Sequence, residues 1–316
     1  MTKPLHLILI EILQVVIVIA AAPAFLGWVD MLKCWLQGRT SAGIMQPYRN
    51  IAKLFVKDVV LADNASWIFR ITPYLVFGTA VVVGSVIPII STNLFLAPSA
   101  DIIVVIAIFA TARFFMALAG MDIGTAFGGM GASREMMIAS LTEPAILMAI
   151  FTVSLAGRST SLLHIVQSFS NGALVLRPSI VFAGIAFVLV VIAEAGRVPV
   201  DNPSTHLELT MVHEAMILEY SGRHLALIEW GSMIRFFLFV TLGIACFLPW
   251  GIASTDDAGS IAASVFFMVI KAAVIGVVVV LIETGLAKMR LFRLTEFLGA
   301  AFLLSTLGVI AFFILE

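Results

Sequence analysis

The sequence predicts an all-α, polytopic membrane protein with about eight transmembrane helices, and three observations carry that expectation. Hydrophobic residues make up 61% of the 316 residues and charged residues only 12%. The mean hydropathy is +1.13. Apolar runs repeatedly exceed the roughly 18–20 residues needed to cross a bilayer. The same composition excludes other classes. A formal net charge of −1 and the lack of a basic tail leave no case for a nucleic-acid partner. Cys34 and Cys246 stand alone and far apart, so neither a disulfide framework nor a CxxC metal motif is available. The whole of 1–316 reads as a single integral membrane domain with no cofactor of its own.

The spans are expected at about 5–29, 67–91, 101–120, 134–156, 179–196, 225–250, 260–284 and 295–315. The first run is too long for a signal-peptide core and lacks a cleavage site, so it reads as a retained helix. An even number of spans places both termini on one side. Lys33, Arg39, Arg49, Lys53, Lys57, Arg134, Arg197, Arg223, Lys288, Arg290 and Arg293 fall on connections of one face, against Lys3, Arg158 and Arg177 on the other. The excess of Lys and Arg marks the first face as cytoplasmic and the termini as outward.

After the first span, residues 44–58 read as an amphipathic surface helix. Arg49, Lys53 and Lys57 form an i, i+4, i+8 stripe opposite Ile51, Leu54 and Phe55. Such a stripe meets either lipid phosphates or a docking partner. Pro73 and Pro88 fall inside the second span, where neighbouring helices can satisfy the freed backbone groups. GMDIGTAFGGMGASRE, residues 120–135, reads as a glycine-rich loop leading to the fourth span and carrying Asp122, a second docking candidate. Without G-x-G-x-x-G spacing or a preceding strand it is no phosphate cradle, and close backbone packing explains its glycines. Arg113 and Glu143 interrupt apolar runs and would be costly facing lipid. Pro144 is expected to loosen the helix beside Glu143, whose burial would favour proton uptake. The plainer alternative is one ion pair that orients two helices.

Residues 194–223, EAGRVPVDNPSTHLELTMVHEAMILEYSGR, concentrate Glu194, Arg197, Asp201, Glu208, Glu214, Glu219 and Arg223 in a chain where charge is scarce. Pro199 and Pro203 bracket Asp201 and deny a continuous helix. From Ser204 or Thr205, a plausible N-cap, a helix would place Glu208 and Glu219 on one face with Val212 and Ala215. His206, His213 and Glu214 lack a third ligand and HExxH spacing, so no metal is expected. Farther on, Glu229 and Arg235 enter the sixth span, Lys271 lies mid-way along the seventh, and Glu283 closes it. Lys271 calls for a carboxylate from another helix or a hydrated cavity. Ionisable groups recurring on five consecutive spans suit a proton path; the alternative is a set of independent helix anchors.

This central stretch resembles the signature of the NADH dehydrogenase subunit 1 family, the quinone-side membrane subunit of respiratory complex I. The family also includes the membrane anchors of formate hydrogenlyases and energy-converting nickel–iron hydrogenases. Glu194, Arg197, Pro199, Asp201, Pro203, Glu208 and Leu209 carry the resemblance at E-x-x-R-x-P-x-D-x-P-x-x-x-x-E-L spacing, followed by Glu219-Tyr220-Ser221-Gly222. Arg134 with Glu143, and Gln46-Pro47 with Lys53, extend it along the chain. Residues 37–47 form a shorter first loop than complex I members have, while ARFFMALAGMD (112–122) and GASRE (131–135) resemble formate hydrogenlyase and hydrogenase-4 anchors. The resemblance implies a non-catalytic subunit that docks a hydrogenase-like large subunit and an iron–sulfur small subunit and joins them to antiporter-like membrane subunits. Nickel–iron and iron–sulfur centres would belong to those partners. By this reading Asp201, Glu208, Glu214 and Glu219 change protonation, and Glu194, Glu143, Glu229, Lys271 and Glu283 pass the change on. Arg113, Arg134, Arg197, Arg223 and Arg235 would be their charge partners. A quinone-site subunit, a free-standing ion or solute transporter, and a purely structural anchor are the alternatives.

Overall fold

The computed structural model describes all residues except 1, 171–176, 199, 202–210, 254, 256, 286–290 and 316. Among the described residues the regular structure is helical, with eleven α-helices and one short 3₁₀ turn at Ala97–Ser99. In chain order they are α1 Thr2–Leu36, α2 Gln46–Val56, α3 Trp67–Val86, α4 Ile102–Asp122, α5 Ala126–Gly157 and α6 Leu162–Ser168. They continue with α7 Pro178–Glu194, α8 His213–Ile217, α9 Gly222–Phe247, α10 Ala258–Gly285 and α11 Leu291–Leu315. Each of the eight expected spans corresponds to one long apolar helix. Seven are long and apolar enough to cross a membrane; the eighth, α7, has 17 residues.

The layers are set by side-chain chemistry. α9 is the centre: Phe236, Phe237, Leu238, Phe239 and Val240 are all buried, and the helix packs against α1, α2, α3 and α7. α11 lies against α5 and α7, and α10 against α1. Phe25 meets Phe236 and Phe237, and Phe109 stacks on Phe239 at 4.5 Å between centroids. α2 keeps the amphipathic reading. Pro47 and Ile51 are buried, the Tyr48 hydroxyl donates to the Ala20 carbonyl, and Arg49, Lys53 and Lys57 are exposed.

Two expected elements differ. The stretch 120–135 is mostly helix rather than loop: α5 begins at Ala126, where the Thr125 hydroxyl accepts from the Gly128 N–H at 3.2 Å. Its glycines do serve close packing, since a Cβ on Gly128 would stand 2.1 Å from the Gly120 carbonyl oxygen. The second span, expected to reach residue 91, ends at Val86. Pro88 offers no N–H and pushes Ile87 to extended geometry, which closes the helix. Gln14 of α1, fully buried, takes over the loose backbone groups. Its Nε2 donates to Gly84 O (2.9 Å) and Ile87 O (2.8 Å), and its Oε1 accepts from the N–H of Ile89 and Ile90 at 3.3 and 3.2 Å. The non-helical chain beyond pairs with the chain beyond α9, where Thr92 N donates to Ala253 O and Ala253 N to Ile90 O. Irregular backbone is thus tolerated here because protein surrounds it.

Candidate functional site

The site begins where α7 stops. Gly196 adopts a positive φ of 58°; its N–H bonds to Ala193 O, and the Arg197 N–H reaches back to Ile192 O. That glycine-terminated turn ends the helix with its carbonyls satisfied. It also leaves Glu194 in the last turn of α7, the end at which the helix dipole disfavours an anion. Cations from two other helices compensate. Arg113 of α4 and Arg235 of α9 both contact Glu194 Oε2, and the Glu194 side chain is 1% exposed. Arg113 also stands 3.6 Å from Glu135 and 3.9 Å from Glu143, and donates to the Thr142 hydroxyl at 3.0 Å. One buried carboxylate, the buried Arg113 and the part-buried Arg235 are thus held between α4, α5, α7 and α9.

A second cluster starts three residues on. Arg197 donates to Glu283 Oε1 at 2.8 Å, and Lys33 to Glu283 Oε2 at 2.9 Å, with the Glu283 side chain inaccessible. Asp30 lies 3.7 Å from Arg197, whose guanidinium stacks over Phe236 at 4.7 Å. Burying Glu283 requires both cations, because one unpaired carboxylate in the apolar body would cost several kcal/mol, on the order of 3–5. Asp201, 3% exposed, forms a third anchor: its Oδ2 accepts from the N–H of Val212 (3.3 Å) and His213 (3.2 Å). One carboxylate therefore covers the free N–H groups that open α8. Arg134 donates to Met211 O at 3.0 Å, pinning the same corner to α5.

Two cavities follow these clusters. The smaller, about 130 Å³, is lined by Glu135, Glu194, Arg197, His213 and Arg235 among others. The larger, about 370 Å³, is lined by Asp30, Lys33, Arg197, Asp201, Glu214 and Glu283, again with His213. Polar cavities bounded by fixed charges can hold water and move protons between carboxylates.

The structure brings together Glu194, Arg113, Arg197, Arg235, Asp201, Glu214 and Glu283, with Glu143 at the margin of the first cluster. The Glu143 side chain is 40% exposed rather than buried, and α5 runs on through Pro144 without a break. Glu229 is half-buried on α9 within reach of the like charge of Glu214. Glu208 lies outside the described residues. Glu219 is exposed beyond the end of α8, which stops at Ile217, so the helix expected to carry both glutamates on one face does not reach it. Arg223 is exposed at the start of α9.

Lys271 stands apart: the sequence called for a carboxylate or a hydrated cavity, and the partners found among the described residues are backbone carbonyls and a ring. Its ammonium donates to Leu248 O at 2.6 Å and to Trp250 O, and lies 4.1 Å over the Trp250 ring. Carbonyls just past a helix C-terminus carry negative partial charge, which suits a buried cation. Asp122 accepts from the Ser66 N–H at 2.8 Å and so fastens the start of α3. The Glu219-Tyr220-Ser221-Gly222 motif acts as a buckle. Tyr220 stacks on Phe69 at 3.8 Å and donates to its carbonyl at 2.9 Å, and burial pushes its phenol above the ordinary range. Ser221 exchanges hydrogen bonds with Val60, and a Cβ on Gly222 would stand 2.6 Å from the Asp58 and Lys57 carbonyl oxygens. Sequence reasoning missed Glu135, Asp30, Lys33 and His213 as site members. Asp30 and Lys33, one turn apart near the C-terminal end of the first span, were the available signal.

No group of three or more His, Cys, Asp or Glu among the described residues could hold a metal ion. The chain matches the NADH dehydrogenase family over residues 10–314. It is 30% identical over 284 residues to formate hydrogenlyase subunit 4 of Escherichia coli (strain K12), covering 90% of this chain and 92% of that one. Identity to hydrogenase-4 component C of the same organism is 29% over 306 residues, covering 96% and 95%. Identity to an NADH-quinone oxidoreductase subunit of Cupriavidus metallidurans is 26%, covering 85% and 80%. The fold is shared with a chain of the membrane-bound sulfane sulfur reductase, an archaeal respiratory membrane complex. There the TM-score is 0.85 at 16% identity, over 98% of this chain and 100% of that one.

Proposed function

The chain belongs to the NADH dehydrogenase subunit 1 family, as a membrane subunit of a complex I-like respiratory complex related to formate hydrogenlyase and hydrogenase-4, and from that premise we propose that it anchors and couples a hydrogenase-like arm. It lies in the cell inner membrane with both termini outward and the 194–223 segment facing the cytoplasm. A hydrogenase-like large subunit and an iron–sulfur small subunit dock on that face, where Arg49 and Lys53 of α2 are exposed. Antiporter-like subunits continue the path sideways in the bilayer. The nickel–iron and iron–sulfur centres reside in the arm. This chain converts a charge change at its cytoplasmic face into ion movement.

The observation that carries the reading is Glu194, buried between Arg113 and Arg235 only three residues from the Arg197–Glu283–Lys33 network. Charge arriving at either network changes the field at the other over a short, poorly screened distance. Arginines that hold carboxylates ionised in one state and release them in another supply the switch.

Purification of a tagged chain in mild detergent, with identification of co-eluting proteins and assay of nickel and iron, tests the assembly. A nickel-containing large subunit with an iron–sulfur partner is expected. A quinone-reducing arm without nickel would make the chain a quinone-site subunit, and recovery of the chain alone would return it to the transporter class.

A further inference from the structure

The two cavities of the charged site share a wall. Leu26, Ala195, Gly196, Arg197 and His213 line both. Leu26, Ala195 and Gly196 carry no exchangeable side-chain proton, and Arg197 keeps its own at any physiological pH. Among the described residues of the wall, His213 is therefore the one side chain whose neutral form carries both a proton donor and a proton acceptor, one on each ring nitrogen.

Beside each cavity stands a carboxylate with one buried oxygen that has no hydrogen-bond partner among the described residues. These are Glu194 Oε1, of a residue lining the smaller cavity, and Asp201 Oδ1, of a residue lining the larger. The other oxygen of each is held. Glu194 Oε2 meets Arg113 and Arg235, and Asp201 Oδ2 accepts from the N–H of Val212 and of His213 itself. The backbone of His213 is thus tied to one of the two carboxylates, and the residue lines the cavities of both.

We propose that His213 is the proton-passing residue between the two cavities, linking the Asp201 side to the Glu194 side. The inference rests on the coupling role proposed above and adds a residue to it. One ring nitrogen accepts the proton leaving a protonated carboxyl in the larger cavity. The other ring nitrogen gives its own N–H proton to the Glu194 carboxylate, and a tautomer change resets the neutral ring. No other bond is made or broken. Among the described residues, the other charged groups lining the cavities are Asp30, Lys33, Asp201, Glu214 and Glu283 on the larger side and Glu135, Glu194 and Arg235 on the smaller. A proton crossing at His213 arrives among carboxylates in either direction.

The test uses the whole membrane complex in sealed vesicles, reading protons moved per electron pair delivered to the arm. His213→Gln and His213→Ala both keep the backbone N–H that Asp201 holds. Each is expected to lower proton movement about 100-fold, the scale of one positioned acid–base group. Free imidazole, small enough for a 370 Å³ cavity, should restore movement in His213→Ala and not in His213→Gln. Normal proton movement in His213→Gln overturns the proposal, as does loss of assembly in both variants, which would make His213 a packing residue. Glu194→Gln and Asp201→Asn serve as controls in the same assay. Normal movement in those two removes the coupling role itself, whereas their failure beside active His213 variants removes His213 alone.

Discussion

Two regions of the molecule bring helix ends together inside the apolar body, and they satisfy those ends in opposite ways. Around Glu194 and Glu283 the end of α7 is met by ions: four cations and their carboxylates, some shared between two partners. Around Gln14 and Lys271 the ends of α3 and α9 are met by one neutral amide and by one ammonium that, among the described residues, contacts carbonyls and a ring. An amide making four backbone hydrogen bonds has one stable arrangement. A carboxylate shared by two arginines has several, because each partner can keep or release it as charge nearby changes. Under the proposed coupling role, the first region is the one that changes and the second the one that stays.

Several substitutions break or sharpen that contrast. The largest effect is expected from Arg113→Ala, which leaves Glu194, Glu135 and Glu143 short of a buried cation. The cost should be about 3–5 kcal/mol, read as a lower unfolding temperature of the purified complex in detergent. A double change of Arg113→Ala with Glu194→Gln should recover much of it, since the orphaned charge is then gone. Gln14→Leu comes next. It keeps the volume but strips hydrogen bonds from four buried backbone groups, for about 3 kcal/mol, with no dependence on salt. If Gln14→Leu proves salt-sensitive, the division between an ionic and a neutral region does not hold.

Gly128→Ala tests the packing beneath the site: its Cβ would meet the Gly120 carbonyl, forcing α4 and α5 apart for about 2 kcal/mol. The drop should appear equally in Glu194→Gln and wild-type backgrounds. Tyr220→Phe is the mildest. It removes one hydrogen bond to Phe69 O while keeping the ring stack, so about 1 kcal/mol is expected, measured by the same melting assay.

Much of the fold was legible because membrane spans are written as apolar runs, and each of the eight runs became one helix. The cast of the site was legible for a related reason: Glu194, Arg197, Arg113 and Arg235 stand out where charge is rare. Pairings were not. Whether Arg113 reaches Glu194 or Glu143 depends on how α4, α5 and α7 rotate against one another, which no local pattern records. Gln14 shows the limit most clearly. In its own helix it is one polar residue in an apolar stretch, and its purpose lies in carbonyls about 70 residues away. Lys271 misled for the same reason, since backbone carbonyls at a broken helix end leave no mark in the sequence. Glu208, the second glutamate of the central motif, falls outside the described residues.

The shortness of α7 has an electrical consequence. Its 17 residues rise about 26 Å, less than the roughly 30 Å of bilayer hydrocarbon. Lipid around it must thin, or its ends must sit below the headgroups. Glu194, at one of those ends, then lies within the drop of the transmembrane voltage. Any charge delivered to it does work against or with that voltage, up to about 2.3 kcal/mol per 100 mV for a full crossing. Under the coupling role proposed above, the membrane potential would then act directly on the cluster, opposing or assisting each change of its charge.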